Sequence, residues 1–330
     1  MIPQGATLHA PRGPVMLDIA GWAVTAEERE RLLHPSVGGV ILFSRNYESP
    51  AQLKALAASI AVLRTPALLI AVDHEGGRVQ RFRSDFSAIP PMRTLGEWWD
   101  RDVGAAAREA TRLGWTLASE LRACGIDFSF TPVLDLDHAR SGVIGDRAFH
   151  RNPNAVAHLA VALHAGLRAG GMPAVGKHFP GHGYAEADSH THLPRDERTL
   201  EALIVDDLVP FGAMIGHGLE AIMPAHVVYP AVDALPAGYS SKWLQDVLRK
   251  RLRFDGIIFS DDLGMAGARS AGDMVQRADA ALAAGCDVVL VCNDSEGAEL
   301  LLKTWRPAPA PTLAHRWERM AGGEVGACLV

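Results

Sequence analysis

The sequence predicts a single α/β domain folded as a closed (β/α)8 TIM barrel, and two observations carry that expectation. Eight short apolar runs alternate with longer helical patterns along 330 residues. Continuous apolar strands separated by helices belong to parallel sheets covered on both faces. The runs also end alike. Asp18, Asp73, Asp135, Lys177 with His178, His226, Asp261 and Asn293 stand at or near their C-terminal ends, the rim on which barrel enzymes assemble active sites. A doubly wound open sheet is the alternative.

Taken in order, the strands are VMLDIAG (15–21), GGVILF (38–43), ALLIAVD (67–73), IDFSFTPVLD (126–135), MPAVGKHF (172–179), AIMPAH (221–226), GIIFSDD (256–262) and DVVLVCN (287–293). Helical periodicity fills 50–63, 101–123, 152–169, 199–217, 240–252 and 273–284 between them. This places the catalytic barrel at 1–304. From WRPAPAP onward, 305–330 reads as a Pro/Ala spacer and a short helix near 312–320, a tail packed on the barrel.

Composition narrows the class. Hydrophobic residues make up 48% and charged residues 21%, ordinary for a protein with a sizeable core. The net charge is −6 without a basic stripe, which argues against nucleic acid or an anionic membrane as partner. Cys124, Cys286, Cys292 and Cys328 form no CxxC pair and read as reduced thiols. The opening MIPQGATLHAPRGPVMLDIAGW has no signal-peptide pattern, and no apolar run reaches the roughly 18–20 residues of a membrane span. The expectation is a cytoplasmic, monomeric enzyme without cofactor.

The densest chemistry lies in KHFPGHGYAEADSHTHLP (177–194). Gly181, Gly183, Pro180 and Pro194 shape a loop there, since glycine permits positive φ and proline fixes it. Asp188 and His190 are two residues apart, a spacing that lets a carboxylate orient a general acid/base imidazole. Its place between Gly183 and Pro194 predicts a loop that moves as substrate binds. FSDDLGM (259–265) ends a strand with two carboxylates. Alternation sends neighbouring strand side chains to opposite faces, so Asp261 and Asp262 should differ in job, one facing the mouth and one holding the loop. AVDHEGGRVQRF (71–82) sets Asp73, Glu75, Arg78 and Arg81 around a Gly76–Gly77 turn, where arginine forks can meet ligand oxygens. VIGDRAFH (143–150) adds Arg147, for which the plain reading is a surface ion pair with Asp146. His74 and His226 read as structural.

GGVILFSRN (38–46), DHEGGRVQR (73–81), VIGDRAFH, KHFPGHG with DSH and LP, and FSDDLGM follow one another in a fixed order. Together they resemble the family 3 glycoside hydrolases, in particular the single-domain bacterial β-N-acetylglucosaminidases (β-hexosaminidases) of peptidoglycan recycling. The resemblance implies retaining hydrolysis of terminal β-linked N-acetylglucosamine, with Asp261 as nucleophile, His190 as general acid/base and Asp188 orienting it. Asp73, Arg81, Arg147, Lys177 and His178 would hold the sugar. The implied substrate is a muropeptide fragment, N-acetylglucosamine on 1,6-anhydro-N-acetylmuramic acid. Two positions depart from the family: His74 stands where Gln is common, and GYAEA (183–187) differs ahead of the dyad.

Rival readings remain open at this level. His178, His182, Asp188, His190 and His192 include zinc-ligand types, but there is no HExxH and Lys177 would repel a cation. A sugar-binding protein without activity should lack one of the three catalytic groups, and all three are here. A histidine acid/base also admits phosphate as acceptor, a phosphorylase-like variant.

Overall fold

The computed structural model describes residues 8–186, 193–308, 310–323 and 325–326. Eight parallel strands form one sheet: β1 Val15–Asp18, β2 Val37–Leu42, β3 Leu69–Val72, β4 Phe128–Ser129, β5 Val175–Phe179, β6 Ala221–Pro224, β7 Ile257–Asp262 and β8 Val288–Val291. Their order is β4-β3-β2-β1-β8-β7-β6-β5. The ends of that order meet. Val133 bridges Lys177 in parallel, Val175 N donates to Thr131 O at 2.8 Å, and Leu134 N donates to Lys177 O at 2.7 Å. The sheet is therefore a closed barrel, and the open-sheet alternative is set aside.

The helices start where local chemistry caps them. Ser49 caps Pro50–Ala61, Asn152 caps Pro153–Ala169, and Asp273 with Gln276 forms a capping box on Met274–Ala284. Three expectations are corrected. The fourth strand is regular only over two residues, because the chain from Phe130 to Leu134 pairs irregularly with β5. The helix expected over 199–217 is two, Leu200–Val205 and Leu208–Gly216, broken at Asp206 and Asp207. The Asp207 carboxylate is buried against Arg198, a tertiary demand that overrides continuity. The segment 240–252 forms a π-helix, Lys242–Arg251.

Inside the barrel, Phe128, Phe130 and Phe259 form an aromatic triangle with centroids 5.4–5.5 Å apart. Below them the helix Leu313–Arg319 supplies Trp317, fully buried and 5.6 Å from Phe259. Its indole N–H donates to Gly13 O at 3.1 Å. Gly38 makes the room: a Cβ there would lie 2.8 Å from the indole. No helix of the described residues is long and apolar enough to cross a membrane.

Candidate active site

A cavity of about 810 Å³ opens at the C-terminal ends of the strands, within the range of about 300–1,000 Å³ usual for small-molecule sites. Asp73, Arg81, Arg147, Lys177, His178 and Asp261 all line it. Six of the eight residues singled out in the sequence thus converge from four different strand ends or following loops. The other two, Asp188 and His190, lie outside the described residues.

A charged network forms the wall under β3 and β5. Lys177 Nζ lies 2.7 Å from Asp73 Oδ1 and 2.6 Å from Glu75 Oε1. Arg147 donates to both Glu75 oxygens at 2.8 Å, in the bidentate geometry that suits a guanidinium. The surface pairing expected for Arg147 is corrected: Asp146 pairs with Arg78 at 3.4 Å instead. Burial opposes the charge on Glu75, but Arg147 and Lys177 outweigh it and hold the carboxyl well below the usual range. Arg81 sits 3.7 Å from the second Asp73 oxygen. Asp73 thus keeps its place between two cations while facing the cavity.

A second unit stands beside it. Asp135, fully buried, accepts from the backbone N–H of His178 at 3.2 Å and of His182 at 2.7 Å. His178 Nδ1 lies 2.7 Å from the other Asp135 oxygen. A carboxylate only accepts, so the ring proton sits on Nδ1, and Nε2 is left as an acceptor in the neutral ring. Burial works against ionised Asp135, yet His178 and His182 bring its carboxyl below the ordinary value. Burial and then His178 push the His182 imidazole down.

Both carboxylates of β7 line the cavity, so the opposite faces expected from alternation are corrected. Strict alternation fails because the pairing with β8 shifts register between Phe259 and Asp262. Asp262 Oδ1 accepts from Gly264 N at 2.9 Å and Cys292 N at 3.0 Å, tying the end of β7 to that of β8. Burial raises its carboxyl to about 7. Asp262 N donates to Asp261 Oδ1 at 2.8 Å, which orients the neighbour. His226 is buried with Nε2 3.1 Å from Asp262 O. His74 is buried against Phe82 and Phe86, its imidazole pushed down to about 3 by burial and then by Arg83 and Arg81. Both keep the structural reading.

Glu75, Asp135 and His182 were not among the expected site residues. Glu75 was visible beside the glycine turn and Asp135 at a strand end. Nothing local marks either as the partner of groups tens of residues away.

With this geometry in view, the relatives agree. The model of the glycosyl hydrolase family 3 N-terminal domain matches residues 5–319. A β-hexosaminidase of Chromobacterium violaceum is 62% identical over 315 residues, 96% of this chain and 88% of that protein. The crystal structure of native NagZ from Neisseria gonorrhoeae superposes with a TM-score of 0.92 at 54% identity, covering 96% of this chain and 92% of that one. The same Neisseria protein in complex with N-trifluoroacetyl-D-glucosamine matches with a TM-score of 0.92 at 53% identity, over the same shares of the two chains. A closed barrel, a charged cavity at its C-terminal mouth and this degree of likeness place the chain in glycosyl hydrolase family 3, as a glycoside hydrolase of the β-hexosaminidase kind.

Proposed function

We propose that the protein removes terminal β-linked N-acetylglucosamine with retention, through a covalent glycosyl-enzyme on Asp261. The observation that carries the reading is Asp261 itself, held by the Asp262 N–H at the wall of a cavity that also presents the paired charges of Asp73, Glu75, Arg147 and Lys177. In the first step the ionised Asp261 carboxylate attacks the anomeric carbon as the glycosidic C–O bond breaks. His190 as imidazolium gives its proton to the leaving oxygen, with Asp188 orienting the ring. In the second step neutral His190 takes a proton from water, which attacks the same carbon and frees Asp261. An imidazole suits both steps because it titrates near neutrality. Family 3 membership favours two-step chemistry of this kind, in which a nucleophile and an acid/base act in turn.

Asp73, Arg81, Arg147, Lys177 and His178 would hold the sugar. A carboxylate already flanked by cations, as Asp73 is by Lys177 and Arg81, accepts from hydroxyls without reorganising. The structure of the Neisseria relative with N-trifluoroacetyl-D-glucosamine supports an N-acetylglucosamine-type ring as ligand. A muropeptide fragment as substrate, and a cytoplasmic monomer at work in cell-wall recycling, fit this reading.

The test is intact-protein mass spectrometry after brief reaction with a fluorinated N-acetylglucosaminyl mechanism probe, followed by peptide mapping. The expected result is one sugar adduct on the peptide containing Asp261. Continued hydrolysis with no labelled protein would sink the covalent mechanism. Comparable rates on an aryl β-glucoside and an aryl β-N-acetylglucosaminide would sink the sugar assignment.

A further inference from the structure

Two stems, 180–186 and 193–198, flank the positions of Asp188 and His190, and side chains from three other places join those stems. The Tyr184 ring has the Arg140 and Arg198 guanidinium carbons each 4.2 Å from its centroid. Its edge contact with His138 has centroids 5.3 Å apart. Arg140 also donates to Glu186 at 2.6 and 3.1 Å, so one arginine grips the first stem twice.

Arg198 belongs to the other stem. It donates to Asp196 at 2.7 Å and to Asp207 at 2.5 Å, two carboxylates with no exposed side-chain surface. Asp207 in turn backs the first stem, for a Cβ on Gly181 would lie 2.7 Å from its carboxylate. The backbone repeats the link. Val228 N donates to Pro194 O at 3.0 Å and Asp196 N to Val228 O at 2.9 Å. Next door, the Tyr229 hydroxyl donates to Gly181 O at 2.6 Å.

We propose that Tyr184, clamped by Arg140 and Arg198, is a positioning residue for general acid catalysis. The clasp sets where the chain enters and leaves the segment carrying Asp188 and His190. Neither arginine nor the tyrosine is assigned a contact with substrate. Cation–π contact is suited to this work: it fixes the ring plane without demanding one hydrogen-bond geometry. An arginine that is half-buried and doubly paired, as Arg198 is, offers a rigid face to stack on. The inference rests on the reading of His190 as the acid.

That dependence decides the experiment. kcat/KM reports the step in which the leaving group departs, so it is measured on two N-acetylglucosaminides, one with an activated aryl leaving group and one with an alkyl group that needs protonation. Wild type, His190→Ala, Tyr184→Ala, Tyr184→Phe and Arg140→Ala are compared. A general acid contributes about 10²–10⁴-fold where protonation is needed. Tyr184→Ala should lose at least about tenfold on the alkyl substrate and less than about threefold on the aryl one. Tyr184→Phe, which keeps the ring, should restore wild-type values. Arg140→Ala, a change at an exposed side chain, should show the same imbalance at smaller amplitude and serves if Tyr184→Ala does not fold. If His190→Ala shows the imbalance while Tyr184→Ala and Arg140→Ala lose both substrates equally or neither, the clasp is overturned and the acid assignment stands. If His190→Ala itself loses both equally, the acid assignment falls and the clasp falls with it.

Discussion

Asp261 and Asp262 are the same residue type on consecutive positions, yet their surroundings differ. Asp262 spends one oxygen on two backbone donors, from Gly264 and Cys292. Its carboxyl, raised to about 7 by burial, is costly to ionise. The consequence is a stability prediction. In the unfolded chain this group loses its proton near the ordinary value of 3.8, whereas in the folded protein it keeps the proton to about 7. The folded state therefore binds more protons in that window, and stability falls as pH rises through it. Asp262→Asn keeps an Oδ1 for both donors and removes the charge. It should be about 4 kcal/mol more stable than wild type at pH 8. The advantage should vanish at pH 4, as read from urea midpoints; a gain independent of pH would contradict the assignment. Alternation predicts opposite faces for these two aspartates, but the register shift beside β8 brings both to the cavity. Glu75 was not separable from any other loop carboxylate, because Arg147 and Lys177 reach it only across the barrel.

Among the elements, the loop after β5 is the one whose function depends on close approach. A Cβ on Gly183 would fall 1.8 Å from Leu136 O, a backbone atom that cannot step aside. Gly183→Ala should push the first stem off the chain beyond β4 and displace the segment that follows. Activity should fall by about tenfold or more, because a misplacement of about 1 Å costs on the order of 10²-fold. The melting temperature should change little, since the barrel strands are untouched. Calorimetry and kcat/KM on the same preparation check both halves; unchanged activity would show that the stem does not need this contact. The glycines of this loop were legible as shaping residues. What they approach was not, because Leu136 lies just beyond the strand expected over 126–135, in a stretch with no local signal of contact. The helix 199–217 misled for a related reason. Its apolar periodicity runs through Asp206 and Asp207, and only the burial of Asp207 with Arg198 shows why the chain breaks there.

For the molecule as a whole, eight-fold alternation of apolar strands with helices was enough to foresee the barrel and which end would carry chemistry. Its floor is another matter, since a tryptophan in a tail after a Pro/Ala spacer looks like any surface anchor. In the folded chain Trp317 reaches Phe259 and Gly13 from below, opposite the cavity. Gly38 on β2 leaves the space its indole fills. Deleting the indole would leave a void bounded by barrel strands, which can collapse only slightly because their hydrogen bonds fix their spacing. Trp317→Ala should therefore cost about 3–5 kcal/mol, the usual range for a buried aromatic replaced by alanine. kcat/KM at 25 °C should stay within about twofold of wild type, since the change lies at the far end of the barrel from the catalytic rim. Denaturant unfolding with activity assays on the folded variant separates the two. A loss of activity at full folding would mean that the floor and the mouth are coupled through the Phe128, Phe130 and Phe259 triangle. The barrel would then have to be treated as one elastic unit, with its stabilising and catalytic ends no longer independent.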